Sequence, residues 1–266
     1  MIQINDLTLK IPGRTLVANL NLRIERGQRW CVIGKNGSGK STLLRSIAGL
    51  QPVDKLSQGE IFWDGELISQ IDTFKLACVR AYASQNPQAS DDWLAIDVVK
   101  AGAWPWVRAK KILGRSYQDE LEDLITKVLI QCDIEGIQNR RWKYLSGGER
   151  QRISLAASLA QQTPVLILDE PTSHLDLGHQ FKFIDQLIKP IDSQKIFMDI
   201  LIATIHDLQL FTRGFTHVLA LNGDSDASWV AGTVQEVLTP QRVEYALGHS
   251  VSWVQKTDGQ RVLIPN

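Results

Sequence analysis

The chain has 266 residues, 44% of them hydrophobic, and 29 Lys plus Arg balance 29 Asp plus Glu, so its formal charge is zero. That length admits one large domain or two small ones, the apolar share supports a real core, and neutrality argues against a dedicated nucleic-acid binder, whose footprint would be basic. Cys31, Cys78 and Cys132 lie far apart without metal-ligand spacing and read as buried thiols in a reducing compartment. No apolar run nears the roughly 20 residues that span a bilayer. The start, Met1 to Asp6, reads as a strand and lacks a basic-then-apolar leader. The expectation is a cytoplasmic chain whose membrane association comes through a partner.

In chain order, short alternating runs come first. Ile2-Gln3-Ile4 and Leu20-Asn21-Leu22-Arg23-Ile24 alternate apolar and polar residues, and Pro12-Gly13 and Arg26-Gly27 punctuate them. Arg29-Trp30-Cys31-Val32-Ile33 reads as a strand and Thr42-Leu43-Leu44-Arg45-Ser46-Ile47-Ala48 as a helix. Gly59-Glu60-Ile61-Phe62-Trp63 is a further strand, ended by the turn Asp64-Gly65. Such strands predict a small antiparallel sheet. Residues 93–140 carry helical spacing and few strand signals, and read as a helical insertion. Val165-Leu166-Ile167-Leu168 is a short apolar run of buried parallel-strand type. A helix over 177–188 and a strand Ile200-Leu201-Ile202-Ala203-Thr204 follow, with no internal repeat and no low-complexity segment.

Between the strand at Arg29 and the helix at Thr42 stands Gly34-Lys35-Asn36-Gly37-Ser38-Gly39-Lys40-Ser41, a Gly-x-x-x-x-Gly-Lys-Ser loop in the strand–loop–helix context that a phosphate-binding loop requires. Its glycines let successive N–H groups turn toward an anion, and the helix that begins near Gly39 aims its positive dipole end at the same place. Lys40 is expected to reach the β- and γ-phosphates and Ser41 to hold Mg²⁺. A second signal is Leu168-Asp169-Glu170, where four apolar residues set two carboxylates at the carboxyl end of a buried parallel strand, the edge where ligands bind in doubly wound sheets. Asp169 is the expected metal ligand and Glu170 the general base or water orienter. A third is Leu145-Ser146-Gly147-Gly148-Glu149-Arg150-Gln151-Arg152. Ser146 and Glu149 make a Ser-x-x-Glu capping box, and the paired glycines before the helix leave N–H groups open to an anion.

With this third motif the chain resembles the ATP-binding cassette family of ATPases, whose signature is Leu-Ser-Gly-Gly-Gln or a close variant; Glu149 stands where Gln is commonest. The resemblance covers nearly the whole chain. It implies a single ATPase domain over 1–266 with an α/β fold: a phosphate-loop nucleotide-binding core (about 1–85 and 145–250) with a small antiparallel β subdomain, and a helical subdomain insertion (about 86–144). It implies ATP with Mg²⁺, held by Gly34, Asn36, Gly37, Ser38, Gly39, Lys40, Ser41 and Thr42, with Ser41, Gln85 and Asp169 at the metal and Glu170, His206 and Gln85 catalytic. Gln85 ends Tyr82-Ala83-Ser84-Gln85, and His206 lies in Thr204-Ile205-His206-Asp207. Ser173-His174-Leu175-Asp176 matches the loop that touches the opposite subunit; His179, His217 and His249 are read as structural. The family usually places an aromatic residue near the end of the first strand to stack on adenine; here that slot is Ile11, with no Tyr, Phe or Trp between Met1 and Gln28.

The resemblance further implies a head-to-tail homodimer in which Ser146, Gly147, Gly148 and Glu149 of one subunit complete the other's phosphate loop. The stretch Asp97-Val98-Val99-Lys100-Ala101-Gly102-Ala103-Trp104-Pro105, residues Thr172 to Gln180 and the tail Gly232 to Pro240 look like the importers for iron chelates, haem and cobalamin, although Ala103 replaces a usual Arg. Expected partners are polytopic permease subunits at the inner face of the cell membrane and a periplasmic or extracellular substrate-binding protein, with no nucleic acid. A soluble cassette ATPase acting on DNA or ribosomes, or a non-hydrolysing regulatory cassette, are the competing expectations. Trp93, Trp104 and Trp106 are either core or a docking surface.

Overall fold

The computed structural model describes residues 1–51, 57–114, 116–173, 177–188, 198–205, 214–223, 226–248, 251–255 and 261–265. It has two compact units, one made of Met1–Ile71 with Asp199–Asn266 and the other of Asp72–Met198. The first unit opens with a long hairpin, β1 (Ile2–Ile11) and β2 (Arg14–Ile24), folded at Pro12-Gly13. Sequence alternation finds only the ends of this hairpin. Asp6 and Asn19 take left-handed conformations (φ 48° and 49°) where the register shifts, and such bulges break the two-residue period. The Thr8 hydroxyl accepts the Asn19 N–H at 3.0 Å. β3 (Arg29–Gly34) then leads into α1 (Lys40–Ile47), and β4 (Gln58–Trp63) and β5 (Glu66–Leu67) close an antiparallel sheet ordered β2-β1-β4-β5. Trp63 ties this sheet to the end of α1 by donating from Nε1 to the Ile47 carbonyl at 3.0 Å.

In the second unit, α2 (Thr73–Val79) is capped by Asp72, whose carboxylate accepts the N–H groups of Phe74 and Lys75 at 2.9 and 3.2 Å. β6 (Arg80–Ala83) follows, then α3 (Ala95–Gly102), α4 (Trp104–Ile112) and α5 (Gln118–Gln131), which are the helices expected over 93–140. α6 (Gly147–Ala160) starts at the first signature glycine, so the paired glycines lie in its first turn rather than precede it. β7 (Val165–Leu168) pairs parallel with β6 in the register Ala83↔Leu168, and α7 (Leu177–Ile188) follows. Trp93 and Trp104 are 46% and 51% exposed and Trp106 is half-buried, so these tryptophans belong to the surface. The Arg108 guanidinium lies 4.4 Å from the centre of the Phe74 ring and 5.1 Å from that of Trp104, a cation–π arrangement that fixes the rings.

The chain then returns to the first unit. β8 (Ile200–Thr204) and β9 (His217–Leu221) flank β3 on either side, both parallel to it, and β10 (Trp229–Thr233) runs antiparallel to β9. β8 is buried at every residue and β3 at all but the first, as expected of strands covered on both faces. The short α8 (Val234–Val237), α9 (Pro240–Leu247) and an antiparallel pair, β11 (Val251–Gln255) and β12 (Arg261–Pro265), complete the described chain. His217 is structural: its ring stacks on Trp30 with centroids 4.7 Å apart, and Nδ1 lies 2.8 Å from the Thr216 hydroxyl. All three cysteines are free; burial pushes the Cys31 thiol up and that of Cys132 up to about 12, which keeps both unreactive, whereas Cys78 is only half-buried.

α3 crosses α6 at Gly102, where an added Cβ would run into the backbone of Ala157. Backbone cannot give way as a side chain does. Gly102→Ala is therefore expected to destabilise the protein by about 1–3 kcal/mol, read as an earlier urea midpoint for the second unit. An unchanged midpoint would show that the crossing has slack.

Candidate functional site

The phosphate loop occupies residues 34–41 between β3 and α1. Gly39 is the cap residue of α1, and no acidic residue sits in the first turn to neutralise the helix's positive end. Lys40 is buried, and its ammonium donates to the carbonyls of Gly34 at 2.9 Å and Lys35 at 3.1 Å. The cation thus lies across the loop, at the mouth of a helix N-terminus, where a phosphate would be attracted by both charges. Ser38 is fully buried, and its N–H donates to the Lys35 carbonyl at 3.1 Å. Its hydroxyl has no hydrogen-bond partner among the described residues. Asn36 and Gly37 are exposed at the tip, and Ser41 and Thr42 are half-buried in the first turn of α1.

Two elements outside the motif hold the loop. The Lys35 N–H donates to the Ala246 carbonyl at 3.2 Å, so the end of α9 supports the loop's first residues. On the other side, Gly223 follows β9 and leaves no space between itself and Ser38: a Cβ there would sit 2.7 Å from the Ser38 Cβ and 3.0 Å from its Cα. Asn222 braces that connection, its N–H bonded to the Ser228 carbonyl at 3.0 Å and its amide nitrogen to Asp226 Oδ1 at 3.2 Å. The Arg14 guanidinium donates to the Gly223 carbonyl and stands beside Gly37. Ile11, the last residue of β1, is 42% exposed opposite Arg14 across the hairpin end.

The acidic pair belongs to the second unit. Parallel register brings the ends of β6 and β7 together, and the Asp169 N–H continues the ladder to the Ala83 carbonyl at 2.9 Å. Asp169 is 1% exposed and accepts from the Tyr82 hydroxyl at 3.1 Å. The Gln85 amide nitrogen donates to Glu170 Oε2 at 2.5 Å, so the three expected residues Gln85, Asp169 and Glu170 do converge at one strand edge. Glu170 has φ 48°, a left-handed conformation that costs a non-glycine residue energy. The N–H and hydroxyl of Ser173 both donate to the Glu170 carbonyl, at 3.2 and 3.1 Å, and hold that turn.

The signature forms the start of α6. Ser146 is the cap: its hydroxyl accepts the Glu149 N–H at 3.3 Å, and its N–H donates to Glu149 Oε2 at 2.7 Å. Arg140 clamps the arrangement, with Nη1 2.8 Å from Glu149 Oε1 and Nη2 2.5 Å from the Tyr144 carbonyl. Burial disfavours the Glu149 charge, but the bonds from Ser146 and the Arg140 guanidinium outweigh it and hold the carboxyl below the usual range. Glu149 therefore remains a structural anion near neutral pH, while Ser146 and Gly147 are exposed. His206, His174 and Asp176 lie outside the described residues. Sequence reading missed Tyr82 as a partner of Asp169, Gly223 as a support of the loop and Arg140 as the clamp. None carries a local signal, because each acts between residues 9 to 185 positions apart, as from Arg140 to Glu149 or from Ser38 to Gly223.

The family described as ABC transporter matches residues 17–173. The petrobactin import ATP-binding protein FpuD of Bacillus anthracis is 33% identical over 215 residues, covering 81% of this chain and 75% of that protein. The hemin import ATP-binding protein HmuV of Burkholderia ambifaria is 30% identical over 282 residues, covering 100% of both. Among solved structures, an ATP-binding cassette in a dimeric post-hydrolysis state bound to ADP and Pi matches with a TM-score of 0.71 and 22% identity, over 88% of this chain and 99% of that one.

Gly223→Ala tests the support of the loop. The new methyl would have to displace Ser38 at its backbone, and the left-handed φ of 72° is itself unfavourable for alanine. ATP affinity measured by calorimetry is expected to fall by about tenfold or more, about 1.4 kcal/mol, with the far-ultraviolet dichroism unchanged. Full affinity in that variant would mean that the connection after β9 does not hold the loop.

Proposed function

The chain belongs to the ABC transporter family of ATPases, and on that premise we propose that it is the ATP-hydrolysing subunit of a membrane importer for an iron chelate, haem or cobalamin. It works as a head-to-tail homodimer on the inner face of the cell membrane. Polytopic permease subunits carry it there, and a periplasmic or extracellular substrate-binding protein delivers the cargo. The observation that carries this reading is a pair of arrangements: a buried Lys40 across a helix-mouth loop, and Gln85, Asp169 and Glu170 at one strand edge. The names of the petrobactin and hemin relatives support the cargo class.

The donor set fits Mg²⁺. Asp169 offers a carboxylate, Ser41 a hydroxyl and Gln85 an amide oxygen, the hard oxygen ligands that this ion prefers. The metal would neutralise the charge of the β- and γ-phosphates. The residues of the chain then divide the work. Lys40 and the N–H groups of Gly37 and Gly39 hold the polyphosphate, with Gly34, Asn36, Ser38 and Thr42 framing the loop, Ser38 through its N–H bond to the Lys35 carbonyl. Tyr82 fixes the Asp169 carboxylate by its hydrogen bond. Gln85 fixes Glu170, which orients the attacking water and accepts its proton. The water oxygen bonds to the γ-phosphorus while the bridging P–O bond breaks, and ADP leaves with that electron pair. His206 is the proposed contact to the γ-phosphate, and Ile11 the proposed contact to the base. Ser146, Gly147 and Gly148 serve the nucleotide of the partner subunit, and Glu149 keeps Ser146 in place. Loss of the γ-phosphate removes a bond shared by two subunits, so the dimer is a two-state element biased by its ligand.

Glu170→Gln is expected to keep ATP binding and to lower turnover by roughly 10²-fold or more. It should also accumulate an ATP-dependent dimer on size-exclusion chromatography; near-normal turnover would remove Glu170 from the mechanism. The action of the signature across the dimer is tested by mixing Lys40→Ala and Ser146→Arg subunits. One composite site of the heterodimer then carries both lesions and the other is intact. Activity above that of either variant alone is the expected result, and none above them would argue that each subunit uses its own signature.

A further inference from the structure

Among the described residues, the side chains that face the loop glycines Gly34, Gly37 and Gly39 are aliphatic or polar, none aromatic. Ile11 is aliphatic and lies exposed at the turn end of the β1–β2 hairpin, opposite Arg14. The side chains set against Gly37 and Gly39 are Arg14 and Leu16. Trp30 is buried on His217, and Trp63 and Trp229 are committed through their indole N–H groups to the carbonyls of Ile47 and Ala18. An aliphatic contact gives a base only burial, whereas a ring face adds stacking.

The signature carries the complementary surplus. Tyr144, two residues before Ser146, is 66% exposed. Leu145 and Ser146 are both extended (φ −89°, ψ 140° and φ −68°, ψ 164°), which sets Tyr144 about 7 Å along the chain from Ser146. Its backbone is fixed, because Arg140 holds the Tyr144 carbonyl and the Glu149 carboxylate of the capping box at once. The Lys143 ammonium stands 5.4 Å from the ring centre. A solvated aromatic ring therefore stands on a hydrogen-bonded backbone two residues before Ser146, beside the Lys143 ammonium, which also donates to Asp92 Oδ1 at 3.1 Å.

We propose that Tyr144 of the signature tip stacks on the base of the nucleotide held by the partner's phosphate loop, and so supplies across the dimer the aromatic platform that Ile11 does not. This rests on the composite-site reading above. Its consequence is a division of labour. A single subunit binds the triphosphate with little regard for the base, and the base is read when the dimer closes. Nucleotide identity then governs dimer formation more than first binding.

The test uses the Glu170→Gln protein, with Ser146→Arg added to block closure in a second sample. ATP, GTP and UTP are titrated into both, with calorimetry for the blocked subunit and sedimentation for the dimer. The blocked subunit should bind the three within roughly tenfold of one another. Dimer formation should favour purines. Tyr144→Ala should abolish that preference and raise the ATP concentration needed for dimers by roughly 5- to 100-fold, the range for loss of one base–aromatic stack. Tyr144→Phe should keep both properties, which separates stacking from a fold defect. If Glu170→Gln forms no ATP-dependent dimer, the composite-site reading falls and the proposal with it. If the dimer forms but Tyr144→Ala leaves its nucleotide dependence unchanged, the proposal alone falls. Strong base selectivity already present in the blocked subunit would also overturn it, because the platform would then lie within one chain.

Discussion

The interior of a parallel strand covered on both faces cannot carry charge, so ionic groups are confined to the strand's ends. That constraint organises this protein. β3, β7 and β8 are buried almost without exception, and the ionic chemistry begins where β3 and β7 stop. After β3 the backbone itself becomes the ligand, through loop N–H groups and the mouth of α1. After β7 two carboxylates appear in succession, and parallel pairing with β6 brings a hydroxyl and an amide to receive them. An acidic pair within the strand would have been an uncompensated burial; at its end each carboxylate has a donor.

Each functional group is also held by something that does no chemistry. Lys40 is tied to loop carbonyls, the loop is propped by α9 and Gly223, Asp169 is held by Tyr82, and Ser146 is locked by Glu149 and Arg140. Such supports convert flexible side chains into preorganised ones, which is what electrostatic stabilisation of a phosphoryl transfer demands. The left-handed Glu170 fits the same logic. Its backbone conformation is unfavourable alone, and the two bonds from Ser173 to its carbonyl hold it.

The surface features point outward in the same sense. The signature cap, Tyr144, Trp93 and Trp104 are exposed, which leaves aromatic surface available to partners. On the proposed function, a second copy and a permease are the partners that would cover them.

The amino-acid order alone determined the strand Val165–Leu168, the strand Ile200–Thr204, the helix Leu177–Ile188, the phosphate loop and the acidic pair. Those features are written in local periodicity, in glycine spacing and in the switch from apolar to acidic residues, all of which act within one or two turns of chain. The β1–β2 hairpin was legible only at its ends, because its bulges erase the alternation. The link from Tyr82 to Asp169, the wedge of Gly223 under Ser38, the clamp of Arg140 and the surface placement of Trp93 and Trp104 were decided by tertiary structure. Each depends on which residues distant in sequence become neighbours, and a tyrosine, a glycine, an arginine or a tryptophan carries no mark in its own flanks of the group it will meet.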